Sequence, residues 1–302
     1  MASRRSWFTM EKRPRSERPR SSSASSSSSK RNSGDRKSPK KSGASRSNQS
    51  SKNDRPVRPG RDQRVTKGAK SVKPAVEQPR RLEPEIPQEI YREEIDKQLL
   101  HELSSLASDN AEQTARHLLA LVYFMPEDPQ RAFEHGVAAS ARAARVGRVR
   151  ELAGIAAYNA EKFDVALREL KTAFRITGDP SLWPMIADSH RGLGEPLKAL
   201  EMGKAPETEK LDRDSRVELR IVLSGARRDL GELAAALTTL ECKELREENP
   251  LWSARLRYAY ADLLEALGRL TEARDWFNKA AAVDIDQLTD SSDRARALAT
   301  KN

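Results

Sequence analysis

The chain of 302 residues is nearly devoid of cysteine: Cys242 stands alone, which excludes an internal disulfide framework and fits a reducing compartment. No run of about 20 apolar residues occurs, so no segment reads as a membrane-spanning helix. The basic N-terminus lacks the apolar stretch of a secretion signal, Trp7-Phe8 being too short for one. The expected location is the cytoplasm, with no membrane partner. Aromatic residues are only 5% of the sequence, and β-branched residues never alternate long enough to write a strand.

Catalytic signatures are missing as well. There is no phosphate-cradling glycine loop and no Gly-x-Ser-x-Gly turn. His101, His117, His135 and His190 never stand four residues apart, which excludes a helical zinc pair, and each reads as a surface or boundary residue. Lys243 would lower the Cys242 thiol pKa modestly, but no base or orienting group accompanies it. Glu93-Glu94 and Glu247-Glu248 read as wetted helix faces rather than acid–base pairs. The expectation is no enzyme, no metal and no cofactor.

What is present is a charge asymmetry. Residues 1–81 hold 24 Lys and Arg against 6 Asp and Glu, whereas the remainder holds 31 against 39. The basic part is rich in Ser, Pro and Gly, with a serine block at 21–29 and no aromatic residue between Phe8 and Tyr91. So little apolar area cannot offset the entropy of ordering, and a disordered arm is expected over 1–81. Lys30, Arg31, Arg36, Lys37, Lys40, Lys41 and Arg46 form its candidate polyanion-binding charge. A mobile polycation attracts nucleic acid by releasing counterions, without reading sequence. No aromatic is interleaved for base stacking. A plain solubilising tail is the alternative.

From residue 82 onward the pattern turns helical. Pro84 and Pro87 punctuate the junction, and Ile90, Ile95, Leu99, Leu103 and Leu106 then recur at helical spacing, opening a capping helix within 82–109. Paired helices are expected at 116–124 and 129–144, at 148–159 and 163–177, and at 182–193 and 196–203. Two further pairs follow at 215–230 and 233–240 and at 252–267 and 271–283. Thr271 is the expected N-cap of the last of these. Residues 289–302 form a tail or a short closing helix.

Within 110–288 one phrase returns. Leu193-Gly194, Leu230-Gly231 and Leu267-Gly268 each precede an alanine, Ala199, Ala236 and Ala273, at intervals of 37 residues. Extending the register backward adds Ala166 and Ala132, at intervals of 33 and 34. A period of this size marks stacked helical hairpins. The glycines suit left-handed turns that end helices, and the alanines allow close helix approach.

These residues resemble the tetratricopeptide repeat (TPR). The last repeat carries Tyr260-Ala261, Gly268, Ala273, Phe277 and Ala280, and the third carries Trp183, Ile186-Ala187, Gly194 and Ala199. The stretch from Ala115-Arg116-His117-Leu118 to Ala156-Ala157-Tyr158 further resembles a group of actinobacterial repeat proteins. The resemblance implies an all-α, right-handed α-solenoid of about five hairpins in a bacterial protein. It also implies a concave face, lined by first helices, that receives a peptide or helix of a protein partner. Mapped onto this chain, that face holds Glu151, Ile155, Tyr158 and Asn159 from the second repeat. Asp188 and Arg191 follow from the third, Arg228 from the fourth, and Arg255, Tyr258, Asp262 and Glu265 from the fifth. Tyr158 and Tyr258 are its expected anchors. The carboxylate-clamp residues of chaperone-tail binders are not matched here. The functional expectation is a non-catalytic adaptor, with a nucleic-acid- or ribosome-associated factor acting through the basic arm as the alternative.

Overall fold

The computed structural model describes residues 83–92, 95–249 and 252–300. Among the described residues there are thirteen α-helices, three short 3-10 turns and no strand. The basic arm and its candidate residues, Lys30, Arg31, Arg36, Lys37, Lys40, Lys41 and Arg46, lie outside the described residues.

Two short helices, α1 (Gln88–Arg92) and α2 (Lys97–Glu102), replace the continuous capping helix expected through Ile90 and Leu106. The break has a local cause: the Asp96 carboxylate accepts the Gln98 amide at 3.0 Å and starts a new helix. Ile90 and Leu103 are nonetheless buried, Ile90 beside Ala120 and Leu103 beside Ala115 and Leu118.

The paired helices then follow. They are α3 (Ser108–Phe124) with α4 (Pro129–Arg142), α5 (Gly147–Asn159) with α6 (Phe163–Thr177), and α7 (Trp183–Gly192) with α8 (Pro196–Met202). After them come α9 (Arg213–Asp229) with α10 (Leu233–Leu240), α11 (Ser253–Ala266) with α12 (Leu270–Ala281), and a last helix α13 (Ser291–Ala299). Asp128 and Asp212 cap α4 and α9, accepting the Arg131 and Ser215 amides at 3.0 and 2.7 Å. Thr271 is not a cap: α12 begins at Leu270 and places Thr271 inside its first turn. From α3 to α13 each helix packs on its successor, and α3 meets α5, α7 meets α9, and α9 meets α11. The core is correspondingly a succession of apolar clusters along the chain.

The recurrent phrase has one geometry. Gly194, Gly231 and Gly268 adopt φ of 74°, 79° and 76°. After each, the next amide donates back to the carbonyl five residues earlier: Glu195 to His190, Glu232 to Arg227 and Arg269 to Leu264, all at 2.9 Å. Lys162 makes the same bond to Ala157 at 2.8 Å, but there the left-handed residue is Glu161, at φ 58°. The five repeat alanines, Ala132, Ala166, Ala199, Ala236 and Ala273, are all 0% exposed, so the close approach expected of them is present at every pair. The extra residues of the longer intervals form the 3-10 turns Pro206–Lys210 and Lys243–Arg246. At the C-terminal end α13 packs on α12, burying Ala295 and Leu298.

Candidate functional site

The eleven residues assigned to a partner-binding face do fall on successive first helices, α5, α7, α9 and α11. Four of them, Ile155, Tyr158, Asp188 and Asp262, are buried. Ile155 is 2% exposed and belongs to the core, and Tyr158, expected as an anchor, is 6% exposed. Both are corrections with one reason: the neighbouring hairpin covers them. The Tyr158 hydroxyl donates to the Asp188 carboxylate on α7, and its ring meets Phe163 edge-on at 5.7 Å. Asn159 donates to the Met125 sulfur at 3.0 Å. Glu151 pairs with Arg148 one turn away at 2.9 Å, and burial raises its pKa although Arg148 pulls the other way.

The contact from Tyr158 to Asp188 recurs along the row with changing chemistry. Arg191 of α7 occupies the position equivalent to Tyr158, one interval of 33 residues on. Its Nη1 donates to Asp188 at 2.6 Å and its Nε to Asp229 of α9 at 2.8 Å. Arg228 of α9, one interval further, pairs with Asp262 of α11. Glu265 of α11, one interval further again, pairs with Arg294 of α13. Arg294 also donates to Asp262 at 2.7 Å and to the Tyr258 hydroxyl at 3.0 Å, and its guanidinium lies 4.4 Å from the Phe277 ring centre. A polar brace therefore runs through α5, α7, α9, α11 and α13.

A second rung links α9 to α11 through Glu218 and Arg255. Burial pushes the Glu218 carboxyl up to about 7, with Arg255 opposing and Asp214 and Asp188 adding to the rise. Its Oε2 is buried and accepts no hydrogen bond. Asp214 is itself engaged, accepting the Trp252 indole N–H at 2.9 Å. Sequence reading named both ends of the Tyr158–Asp188 and Arg228–Asp262 contacts but missed Glu218, Asp229 and Arg294. The available signal was spacing, since Glu218 and Arg255 stand 37 residues apart, one repeat interval.

Three histidines correct the surface reading. His117 and His135 are 1% and 0% exposed, and their Nδ1 atoms stand 3.0 Å apart, so one ring donates to the other. His135 stacks on Phe124 with centroids 5.6 Å apart, and its Nε2 has no hydrogen-bond partner. Burial, with the neighbouring His117 and Arg131, depresses the His135 pKa to about 4. Burial likewise lowers His117, against the pull of Glu83. His190 is buried too, held between Glu195 at 2.8 Å and Lys171 at 3.2 Å. His101 remains exposed. Cys242 is partly buried, and burial raises its thiol pKa, aided by a hydrogen bond to Glu244, where Lys243 was expected to lower it.

Among the described residues no group of three or more His, Cys, Asp or Glu side chains stands where a metal could be held. No described helix is long and apolar enough to cross a membrane. No family model matches this chain, and no curated protein matches it.

Proposed function

We propose that the protein is a non-catalytic scaffold, a right-handed α-solenoid of TPR-type hairpins whose first-helix face receives a segment of a protein partner. The observation that carries this reading is the polar brace. Successive first helices are tied at equivalent positions, so the side chains of the face are already ordered before any partner arrives. Binding to an ordered face avoids the cost of fixing side chains on association. Among the groups that keep surface there are Arg228, Arg255, Tyr258 and Glu265. They favour a partner segment with mixed charge and a hydrogen-bonding edge over a purely apolar helix.

The test is photocrosslinking in cells of the source organism, with a crosslinking side chain at Arg228 or at the exposed α6 position Arg175. Recovery of the same protein from both positions, or from neither, would remove the face from consideration.

A second reading is favoured by the 24 basic against 6 acidic residues of 1–81. There the arm supplies affinity for a nucleic acid or ribosome, and affinity falls steeply with salt. Deleting residues 1–81 should then abolish binding to RNA and DNA. Unchanged affinity after the deletion would leave the scaffold alone.

A further inference from the structure

Between α4 and α6, over α5, lies a cavity of about 320 Å³, within the range of small-ligand sites. Phe133, Val137 and Val165 give it apolar walls. Its floor is charged. Glu169 is 4% exposed, and its carboxylate accepts from Arg150, from Ser140 at 3.4 Å and from Arg168 Nε at 3.2 Å.

The repeat itself shows what an ordinary filling would be. Shifting by the alanine intervals of 34 and 33 residues, Ser140 becomes Phe174, Arg150 becomes Trp183, Ala153 becomes Ile186 and Glu169 becomes Met202. In that next hairpin those four residues belong to one apolar cluster. The Phe174 and Trp183 rings are 5.3 Å apart, and the Trp183 indole N–H donates to the Met202 carbonyl at 3.1 Å. The same scaffold therefore closes the hollow with four large apolar side chains in one hairpin. In the hairpin before it, Ser and Ala hold the hollow open and an ion pair with a buried carboxylate lines it. Buried ion pairs are seldom better for stability than apolar packing. The exchange calls for a role other than stability.

Among the charged groups the unused capacity is N–H donors. Both Glu169 oxygens already accept, and Arg150 Nε donates to the Ala144 carbonyl at 2.8 Å. Arg168 uses only Nε, its side chain is 66% exposed, and its terminal nitrogens remain as donors at the mouth. Two arginines against one glutamate leave one net positive charge. We propose that this cavity binds a small organic anion: a carboxylate that rests on Arg168, carried by an aliphatic or aromatic body that fills the space kept open by Ser140 and Ala153. The proposal is independent of what the first-helix face binds.

The test titrates hexanoate into the full chain and follows backbone amide signals by NMR. Acetate, which lacks the body, and hexanamide, which lacks the charge, are the controls. Expected are saturable shifts confined to α4, α5 and α6 with hexanoate, and binding about tenfold or more weaker for hexanamide, which loses the charge-assisted contact, and for acetate, which loses the buried apolar body. Ala153→Ile should abolish the response while the protein stays folded, because it supplies the side chain of the next hairpin. Arg168→Gln, a surface change that leaves the walls intact, should weaken hexanoate about tenfold and bring it level with hexanamide. The proposal fails if hexanoate gives no saturable shift, if acetate or hexanamide binds as well as hexanoate, or if both variants bind as the native chain does.

Discussion

The guanidinium of Arg191 on α7 lies against the backbone of Gly225 on α9, so closely that a methyl group at Gly225 would stand 2.5 Å from its Cζ. Gly225 is one interval before Asp262 and one after Asp188, the carboxylates that meet Arg228 and Tyr158. Where the other rungs meet a carboxylate at this position, this one needs an empty space, because Arg191 must pass over it to reach Asp229.

Glycine in a helix interior is about 1 kcal/mol worse than alanine, so an open site would gain from Gly225→Ala. Here the substitution pushes Arg191 off Asp229, and a net loss of about 1 kcal/mol is expected in urea unfolding. The sign should reverse when Arg191 is first replaced by alanine, with Gly225→Ala then stabilising by a few tenths to about 1 kcal/mol. The same sign in both backgrounds would show that Gly225 does not answer to Arg191.

Glu161 occupies the left-handed position that the later hairpins give to glycine, at φ 58°. That conformation costs a side-chain-bearing residue roughly 1–2 kcal/mol, partly offset by the larger chain entropy that glycine loses on folding. Glu161→Gly should raise the unfolding free energy by roughly 0.5–1 kcal/mol. Thermal denaturation of the two proteins side by side decides it, and a lower melting temperature for the variant would be the wrong result.

Ala236 is fully buried where α10 approaches its partner, whereas Ala234 two residues earlier is exposed. Ala236→Leu should overpack the contact by about 1–3 kcal/mol, and Ala234→Leu should stay within about 0.5 kcal/mol of the native chain. Equal effects would deny the repeat alanine its packing role.

His135 links stability to acid. Its folded pKa, about 4, lies below the ordinary 6.5, so the unfolded chain binds the proton first. The contribution is whole above pH 6.5 and is lost as pH falls toward 4, roughly 2 kcal/mol between pH 7.5 and 5. Against a His135→Phe variant, the native protein should lose stability over that range. A difference that does not change with pH would contradict the buried neutral ring.

Glu218 works in the opposite direction. Its carboxyl, pushed up to about 7 from 4.5, binds a proton more readily folded than unfolded. That contribution is present at low pH and is lost as pH rises from 4.5 through 7. Relative to Glu218→Gln, the native protein should weaken by on the order of 2 kcal/mol between pH 5 and 8. Parallel stability curves for the two proteins would rule this out.

Much of the fold could be read from the sequence because its rules are local. Beside the capping helix, ten paired helices were expected from spacing, glycines and prolines, and the structure places helices in all ten of those stretches. Misreadings arose where a short-range choice competed with the pattern. Asp96 cut the capping helix in two, and α12 began one residue ahead of Thr271. The face was less legible. The residues mapped to it do lie on α5, α7, α9 and α11, but whether they were free depended on partners distant in sequence, such as Asp188 for Tyr158 and Asp229 for Arg191. The histidines failed for the same reason, since nothing near His117 in sequence announces His135 across the hairpin.

The last rung is reversed in charge. Asp188 and Asp262 accept from the preceding helix, whereas Arg294 donates to Glu265. A helix arriving after α13 would meet an arginine already shared among Tyr258, Asp262 and Glu265. By turning its cation inward onto three acceptors of α11, α13 fastens the last described helix to the helix two before it, so the brace closes on itself there and α13 is held by charge as well as by the packing of Ala295 and Leu298.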